Sequence, residues 1–394
     1  MYNVMTVFGI RPDFIRSSLI LKKLEAHPEI KLQFVYTGQH YDENLKGVFF
    51  KELGIPEPQF NLDTKAGSHP QQHAKLISQL ESVIQIAKPD VVMFLGDANA
   101  VIGCITPLKM GIPIVHIEAG MRSHDWRMPE ERNRVIIDRV SDVLYTYQHD
   151  YKCKLVQEGI CPTKIVVTGN TIVDVLNEHM EEIKSREREV LDSFSVSPQK
   201  YAVMTLHRSE HVDNPMVCAS ILRQVQRWAQ ENHVPVILPV MPRLQKVFDA
   251  EGEKKAKDGE INLLSKELLR NFLFIKPIGF FDFIALEKNA MIEFTDSGTN
   301  QETSAILGTP CVVTRRSTER PETFNSGITE MSINKIGAAA YKVTHSKKNP
   351  TFWLGDGNAA EIIVTDLAQR LKHNFYRPHP TTDSFIASNW NTFQ

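Results

Sequence analysis

Three acidic side chains stand where a strand-like run gives out: Asp97 in Leu-Gly-Asp-Ala-Asn, Glu118 in His-Ile-Glu-Ala-Gly, and Glu130 in Met-Pro-Glu-Glu-Arg at the entrance of a helix-like segment. A carboxylate mounted at the end of a rigid strand is fixed in place while it faces a cleft, which is what general acid and base chemistry needs. Singly, each has an ordinary account. Asp97 reads as a turn residue or helix cap, and Glu130 or Glu131 as first-turn acids favoured by the helix dipole. Taken in succession, they point to proton transfer.

A second set of residues points to an anion. The first apolar run ends in Gly9-Ile10-Arg11-Pro12-Asp13 and leads into a helix carrying Arg16. A glycine turn running into a helix start offers backbone N–H groups and the positive end of the dipole, and Arg11 and Arg16 add charge. The turn is neither GxGxxG nor a P-loop, and arginines near a helix start are more often solvated than ligating. In the second half, His207 and Arg208 end one run, and Ser297, Gly298 and Thr299 end another, with Gln301 and Glu302 inside the following helix. Hydroxyls, a close-approach glycine and a helix N-terminus form an anion cradle, and a carboxylate beside it suits ribose hydroxyls, so a diphosphate nucleotide is the natural guest. The ordinary account of Asp-Ser-Gly is a helix cap. No metal is expected: His40, His116 and His124 lack HExxH-type spacing and read as structural, and the 5 cysteines carry no paired CxxC spacing.

The elements that must position these residues alternate. VMTVFG, LQFVYTGQ, DVVMFLGD, IPIVHIEAG, DVLYTY and KIVVTGN read as buried parallel strands, and amphipathic segments such as DFIRSSLILKKLEAH and PEERNRVIIDRV read as the helices between them. A charged stretch at 177–199 follows, and the rhythm then restarts with YAVMTLHR, VPVILPV, FLFIKP, MIEFTDSG and TPCVVTRR. The expected fold is α/β, with two doubly wound Rossmann-like domains in tandem and an interdomain cleft bounded by strand ends. The domains are expected at 1–176 (the acid/base carboxylates) and 177–372 (the nucleotide site), with 373–394 packing back on the first. Residues 258–268 read as a polar surface insertion. Lys+Arg 45 against Asp+Glu 47 leaves a net charge of -2, which excludes the basic field that drives nonspecific nucleic-acid or anionic-membrane binding. No apolar run reaches the roughly 20 residues of a membrane span, and the first residues lack a signal-peptide pattern, so a cytoplasmic location is expected.

Taken together, the chain resembles the non-hydrolysing UDP-N-acetylglucosamine 2-epimerases, sugar-nucleotide enzymes of glycosyltransferase-B-like fold. The resemblance rests on Gly9 to Asp13, Thr37-Gly38-Gln39-His40, Gly96-Asp97, His116 to Gly120, Pro129 to Arg134, Thr168 to Thr171, Leu206-His207-Arg208, Asp296-Ser297-Gly298 and Ser317 to Glu322, in the family's order. It implies inversion at C2 of a UDP-2-acetamido-hexose for bacterial surface polysaccharide synthesis, by elimination of UDP to a 2-acetamidoglucal and readdition to the other face. It places Asp97, Glu118 and Glu130 in proton transfer, with Arg16 and His207 also at the catalytic centre. UDP would be held by Arg11, His207, Arg208, Ser297, Gly298, Thr299 and Glu302. It further implies a homodimer and domain closure over the substrate, and in some members an allosteric second nucleotide sugar near the loop of Gln39 and His40. An elimination of this kind requires no cofactor, in agreement with the absent dinucleotide fingerprint.

The chain also departs from the UDP-N-acetylglucosamine enzymes. They usually carry Lys at the position of Arg16 and Glu at that of Asp13, a longer stretch than Met121 to Met128, and a second Glu where Thr303 follows Glu302. Such features look more like relatives acting on UDP-2-acetamido-6-deoxy-L-hexoses or UDP-2,3-diacetamido-glucuronate. The remaining alternatives are a UDP-sugar glycosyltransferase, which needs an acceptor, a hydrolysing variant that releases free sugar, and a nucleotide-sugar sensor that never exchanges the C2 hydrogen.

Overall fold

The structure, a computed structural model, describes residues 1–38, 50–64, 67–249 and 269–373. Gln39, His40, the insertion at 258–268 and nearly all of 373–394 lie outside them.

Two parallel sheets carry the molecule. The first holds β1 (Tyr2–Phe8), β2 (Ile30–Tyr36), β3 (Phe60–Asn61), β4 (Val91–Leu95), β5 (Ile114–Ile117), β6 (Val143–Thr146) and β7 (Ile165–Val167), in the order β3-β2-β1-β4-β5-β6-β7. The second holds β8 (Ala202–Thr205), β9 (Val236–Pro239), β10 (Phe272–Ile275), β11 (Ile292–Thr295), β12 (Cys311–Val313) and β13 (Thr329–Met331), in the order β10-β9-β8-β11-β12-β13. Both are doubly wound Rossmann-type orders. Their strands read as unbroken apolar runs because helices cover both faces. The short strands β3 and β13 are absent from the sequence reading, since Phe-Asn and Thr-Glu-Met make no apolar run.

The helices are α1 (Arg11–Ala26), α2 (His69–Ala87), α3 (Ile105–Met110), α4 (Pro129–Val140), α5 (His149–Gln157), α6 (Thr171–Ser193), α7 (Ser209–Val212), α8 (Pro215–Asn232), α9 (Phe280–Asn289), α10 (Gly298–Leu307), α11 (Ile336–Thr344) and α12 (Ala359–Lys372). On one face of the first sheet Val4, Phe8, Phe34 and Leu95 pack with Ile20 and Leu24 of α1; on the other, Met5, Val7 and Phe94 meet Leu76 and Leu80 of α2. In the second sheet Met204, Leu238 and Phe294 pack on Ile221 and Val225 of α8. No helix among the described residues is long and apolar enough to cross a membrane.

The charged stretch at 177–199 is largely helical, as the continuation of α6. Asn170 starts this helix by accepting the N–H of Ile172 at 3.0 Å. Its Ile172, Leu176 and Ile183 sit in the core beneath the first sheet, and its Val190 and Leu191 sit with Val203 and Ile237 of the second. One amphipathic helix therefore joins the two cores, with the charges of the 177–199 stretch mostly on the solvent side. Helix α12 lies within the 177–372 span, yet Ile363, Leu367 and Leu371 pack in the first core with α1. The return is pinned by polar contacts: the Tyr145 hydroxyl donates to Asp366 at 2.9 Å, and the Ala360 N–H to Asp174 at 2.7 Å.

Truncating this apolar face should loosen the whole first half. Leu367→Ala is expected to cost about 2–5 kcal/mol, whereas Ile362→Ala on the outer face should stay within about 0.5 kcal/mol of the parent. Thermal unfolding followed by circular dichroism checks the difference.

Candidate functional site

In each sheet the strand order reverses once, between β1 and β4 and between β8 and β11. Such switch points open a crevice beyond the carboxyl ends of the strands, and ligands bind there. Gly9 to Asp13 follow β1 and Asp97 follows β4, while His207 follows β8 and Ser297 follows β11. The two crevices face each other across a cavity of about 260 Å³. Ile10, Arg11, Pro12 and Ile15 line it from the first half. From the second come polar Thr205, His207, Ser297, Thr299, Asn300 and Thr303, and an apolar side that includes Met241, Ile278, Phe280 and Phe283. An apolar slot with polar groups gathered at one wall is suited to a base and its attached polar chain.

Beside the cavity lies a buried network of carboxylates and arginines drawn from both halves. Glu118, directly after β5, is 2% exposed and has φ +72°. A non-glycine residue held there stores about 1–3 kcal/mol of strain, and such strain collects at functional sites. Its carboxylate accepts from Arg16 of α1, from Arg320 Nη2 at 2.6 Å and from the Tyr147 hydroxyl at 3.5 Å. Arg16 also donates to Thr299 Oγ1 at 2.5 Å, which ties α1 to the first turn of α10.

Asp97 pairs with the buried Arg134 of α4, and the Asn133 side chain holds its backbone carbonyl at 2.9 Å. Burial alone would raise the Asp97 pKa, but the charges of Arg134, Arg320 and Arg208 together outweigh it and keep the carboxyl below the usual range. Glu130, one turn earlier on α4, moves the other way, raised by burial and then by the charge of Asp97. Neighbouring carboxylates are thus pushed apart in acidity. A further acid, Asp13, accepts the N–H groups of Gly9 and Ile10 at 3.1 Å, and burial lifts it to about 7.

The anion side is built around Asp296. Its carboxylate accepts the His207 N–H at 2.9 Å and the Arg208 N–H at 2.8 Å, and lies 3.0 Å from His207 Nδ1 and 3.2 Å from His211 Nδ1. Burial opposes ionisation, but the two histidines hold Asp296 well below the usual range. The His207 ring is thereby oriented while its side chain stays 42% exposed. Ser297 caps α10 by accepting the Asn300 N–H at 3.4 Å. A Cβ on Gly298 would come within 2.7 Å of Arg320 Cζ and 2.9 Å of Glu319 Oε1, so only glycine lets these groups approach the helix start.

Several residues sit differently from their sequence reading. Arg16 is buried and paired rather than solvated. Glu302, read as a ribose contact, is fully buried away from the cavity wall: it accepts from Asn170 at 2.8 Å and lies 2.9 Å from Arg320 Nε. The next residue, Thr303, lines the cavity instead, because one step along a helix turns a side chain by about 100°. Arg208 reaches past the cavity toward Glu319, at 3.6 Å. His116 is structural, buried between Asp138 at 2.7 Å and the Gly96 carbonyl at 2.8 Å. The sequence reading missed Arg134, Arg315 and Glu319 as members of the network. Their signal was the density of arginine and glutamate in Pro129 to Arg134 and Arg315 to Glu322. Among the described residues no group of histidine, cysteine and acidic side chains is arranged to hold a metal.

The family model for UDP-N-acetylglucosamine 2-epimerase matches residues 22–368. The chain belongs to this family. The UDP-N-acetylglucosamine 2-epimerase of Methanococcus maripaludis is 36% identical over 372 residues, which cover 92% of this chain and 98% of that one. The UDP-2,3-diacetamido-2,3-dideoxy-D-glucuronate 2-epimerase of Pseudomonas aeruginosa is 32% identical over 349 residues, covering 88% and 91%. The crystal structure of the Methanocaldococcus jannaschii UDP-GlcNAc 2-epimerase with UDP-GlcNAc and UDP matches the fold with a TM-score of 0.84 at 34% identity, over 94% of this chain and 100% of that chain. The motif-based resemblance and the two-domain Rossmann-like fold it implied are borne out.

Glu319 accepts from Arg315 at 2.7 Å and from Arg320, with Arg134 and Arg208 each 3.6 Å away. Removing its charge strands buried cations, so Glu319→Gln is expected to cost about 3–5 kcal/mol. These arginines outweigh burial and hold the Glu319 pKa well below its ordinary 4.5. A depressed carboxylate stabilises the fold above its unfolded pKa, and that contribution drains away as pH falls below about 4.5. The variant should therefore show a shallower acid loss of stability, measured as melting temperature against pH.

Proposed function

We propose that the protein inverts C2 of a UDP-2-acetamido-hexose by eliminating and readding UDP, with UDP-N-acetylglucosamine as the first substrate to test. One observation carries this reading: an apolar cavity ending in an anion cradle adjoins carboxylates that the fold drives to opposite acidities. Removal of a weakly acidic C2 proton needs a positioned base, and departure of UDP needs preorganised donors. In this reading the α10 N-terminus, Ser297, Gly298 and Thr299 receive the diphosphate, with Arg11 and the ring of His207 beside it. Asp97, held ionised by Arg134 together with Arg320 and Arg208, serves as base, and Glu130, raised by burial, carries the proton delivered on the other face. Glu118, fixed between Arg16 and Arg320, reports the closure of the two halves to the reacting carbons. Sealing the cavity would keep water from the glucal intermediate. A cytoplasmic homodimer is the proposed working form. The Pseudomonas aeruginosa relative favours a diacetamido uronate as the second substrate to try.

Incubation with UDP-N-acetylglucosamine in deuterated water, followed by proton NMR, should yield UDP-N-acetylmannosamine carrying deuterium at C2. Asp97→Asn, Glu118→Gln and Glu130→Gln should each lower turnover by roughly 10²–10⁴-fold while UDP affinity holds. Full turnover in all of them would overturn the mechanism. Glu130 acts as an acid only while protonated, so the wild-type rate should fall as pH rises through its elevated pKa. That limb should be missing from the residual activity of Glu130→Gln.

A further inference from the structure

Beneath the cavity wall lies a pair of carboxyl groups that the epimerisation leaves unused. Glu287 on α9 and Glu293 on β11 are both fully buried, and burial raises both above the usual carboxylate range. They adjoin one another, and each holds one residue of the wall. The Thr303 hydroxyl donates to Glu287 at 2.6 Å, and the Asn300 side-chain N–H donates to Glu293 Oε1 at 2.8 Å. Glu293 Oε2 has no other donor in reach. Two buried carboxylates side by side cannot both stay ionised, and one proton on Glu287 satisfies the orphaned oxygen. The chain of bonds then has a fixed direction: Thr303 to Glu287, Glu287 to Glu293, Asn300 to Glu293.

We infer that Glu287 and Glu293 form a shared-proton positioning pair that makes Thr303 and Asn300 hydrogen-bond acceptors toward the cavity, and so selects a ligand presenting sugar hydroxyls to that wall. The hydroxyl of Thr303 has spent its only hydrogen inward, which leaves lone pairs outward. Asn300 has its amide group committed to Glu293, which turns Oδ1 to the other side. Both residues lie on α10 within about 10 Å of its N-terminus, at 1.5 Å per residue. A nucleoside diphosphate held at Ser297 brings its ribose hydroxyls to this wall. The inference rests on the nucleotide reading given above and adds to it how the ribose is read.

Isosteric amides test the direction of the chain. In Glu287→Gln the amide still accepts from Thr303 and donates to Glu293, so the wall is unchanged. In the double variant Glu287→Gln/Glu293→Gln each amide has one donor face and one acceptor face, so either Thr303 or Asn300 must reverse. Calorimetric titration with UDP and with 2′,3′-dideoxy-UDP reads the outcome. Wild type and Glu287→Gln are expected to prefer UDP by the same factor, at least about tenfold, since each hydroxyl bond contributes a several-fold gain. The double variant is expected to lose the several-fold gain of one contact with its circular dichroism retained, and Thr303→Val should lose a similar factor. An undiminished preference in the double variant or in Thr303→Val, or a loss in Glu287→Gln equal to that of the double variant, would overturn the inference. Equal wild-type affinity for the two nucleotides would overturn it while the nucleotide reading stands, whereas failure of wild type to bind UDP would remove both.

Discussion

A guanidinium with no water around it must find its counter-charge within the protein, and Arg320 sets that condition for the entire site. It is 2% exposed and lies against Glu118 of the first half and Glu302 and Glu319 of the second. Each of these carboxylates is in turn committed to another arginine, so Arg16, Arg134 and Arg315 follow. Burying charge is costly, and pairing recovers only part of the cost, so a network of this size is poor value as mere stabilisation. Its effect is positional. The strand ends of one sheet are held in register with the helix start of the other, and the acids of the first half stand beside the cradle of the second.

The network also gives a shared environment unequal consequences. Asp97 and Glu130 lie near one another at the same mouth, yet one is bound to a buried cation and the other is not. Burial acts on both, and around Asp97 the combined charge of Arg134, Arg320 and Arg208 decides the outcome. A site assembled in this way can hold a base and an acid together at one pH. The strained backbone of Glu118 belongs to the same logic, because its contacts to Arg16 and Arg320 over-determine a conformation the chain would otherwise leave.

Much of this was legible in the sequence because strand and helix periods announce themselves. The long apolar runs gave both sheets, and the placement of Asp97, Glu118, His207 and Ser297 just after strands gave the mouth of the site. Two kinds of feature escaped. The first was direction around a helix: spacing locates Glu302 and Thr303 on one turn but does not say which faces the cavity, and the answer depends on where Asn170 and Arg320 arrive from distant parts of the chain. The second was burial of charge. Arg134, Arg315 and Glu319 look like solvated loop and helix residues in a linear reading, and only the apposition of two sheets encloses them. The continuation of α6 through a charged stretch was missed for a related reason, since its buried face passes from one core to the other.

The return of α12 to the first half has a mechanical meaning. The chain crosses between the halves once along α6 and once more before α12, so two covalent straps join them. A single strap would act as a swivel and let one half turn freely about it. Two straps set apart prevent that swivel, so the strand ends of the two sheets keep one relative orientation across the cavity.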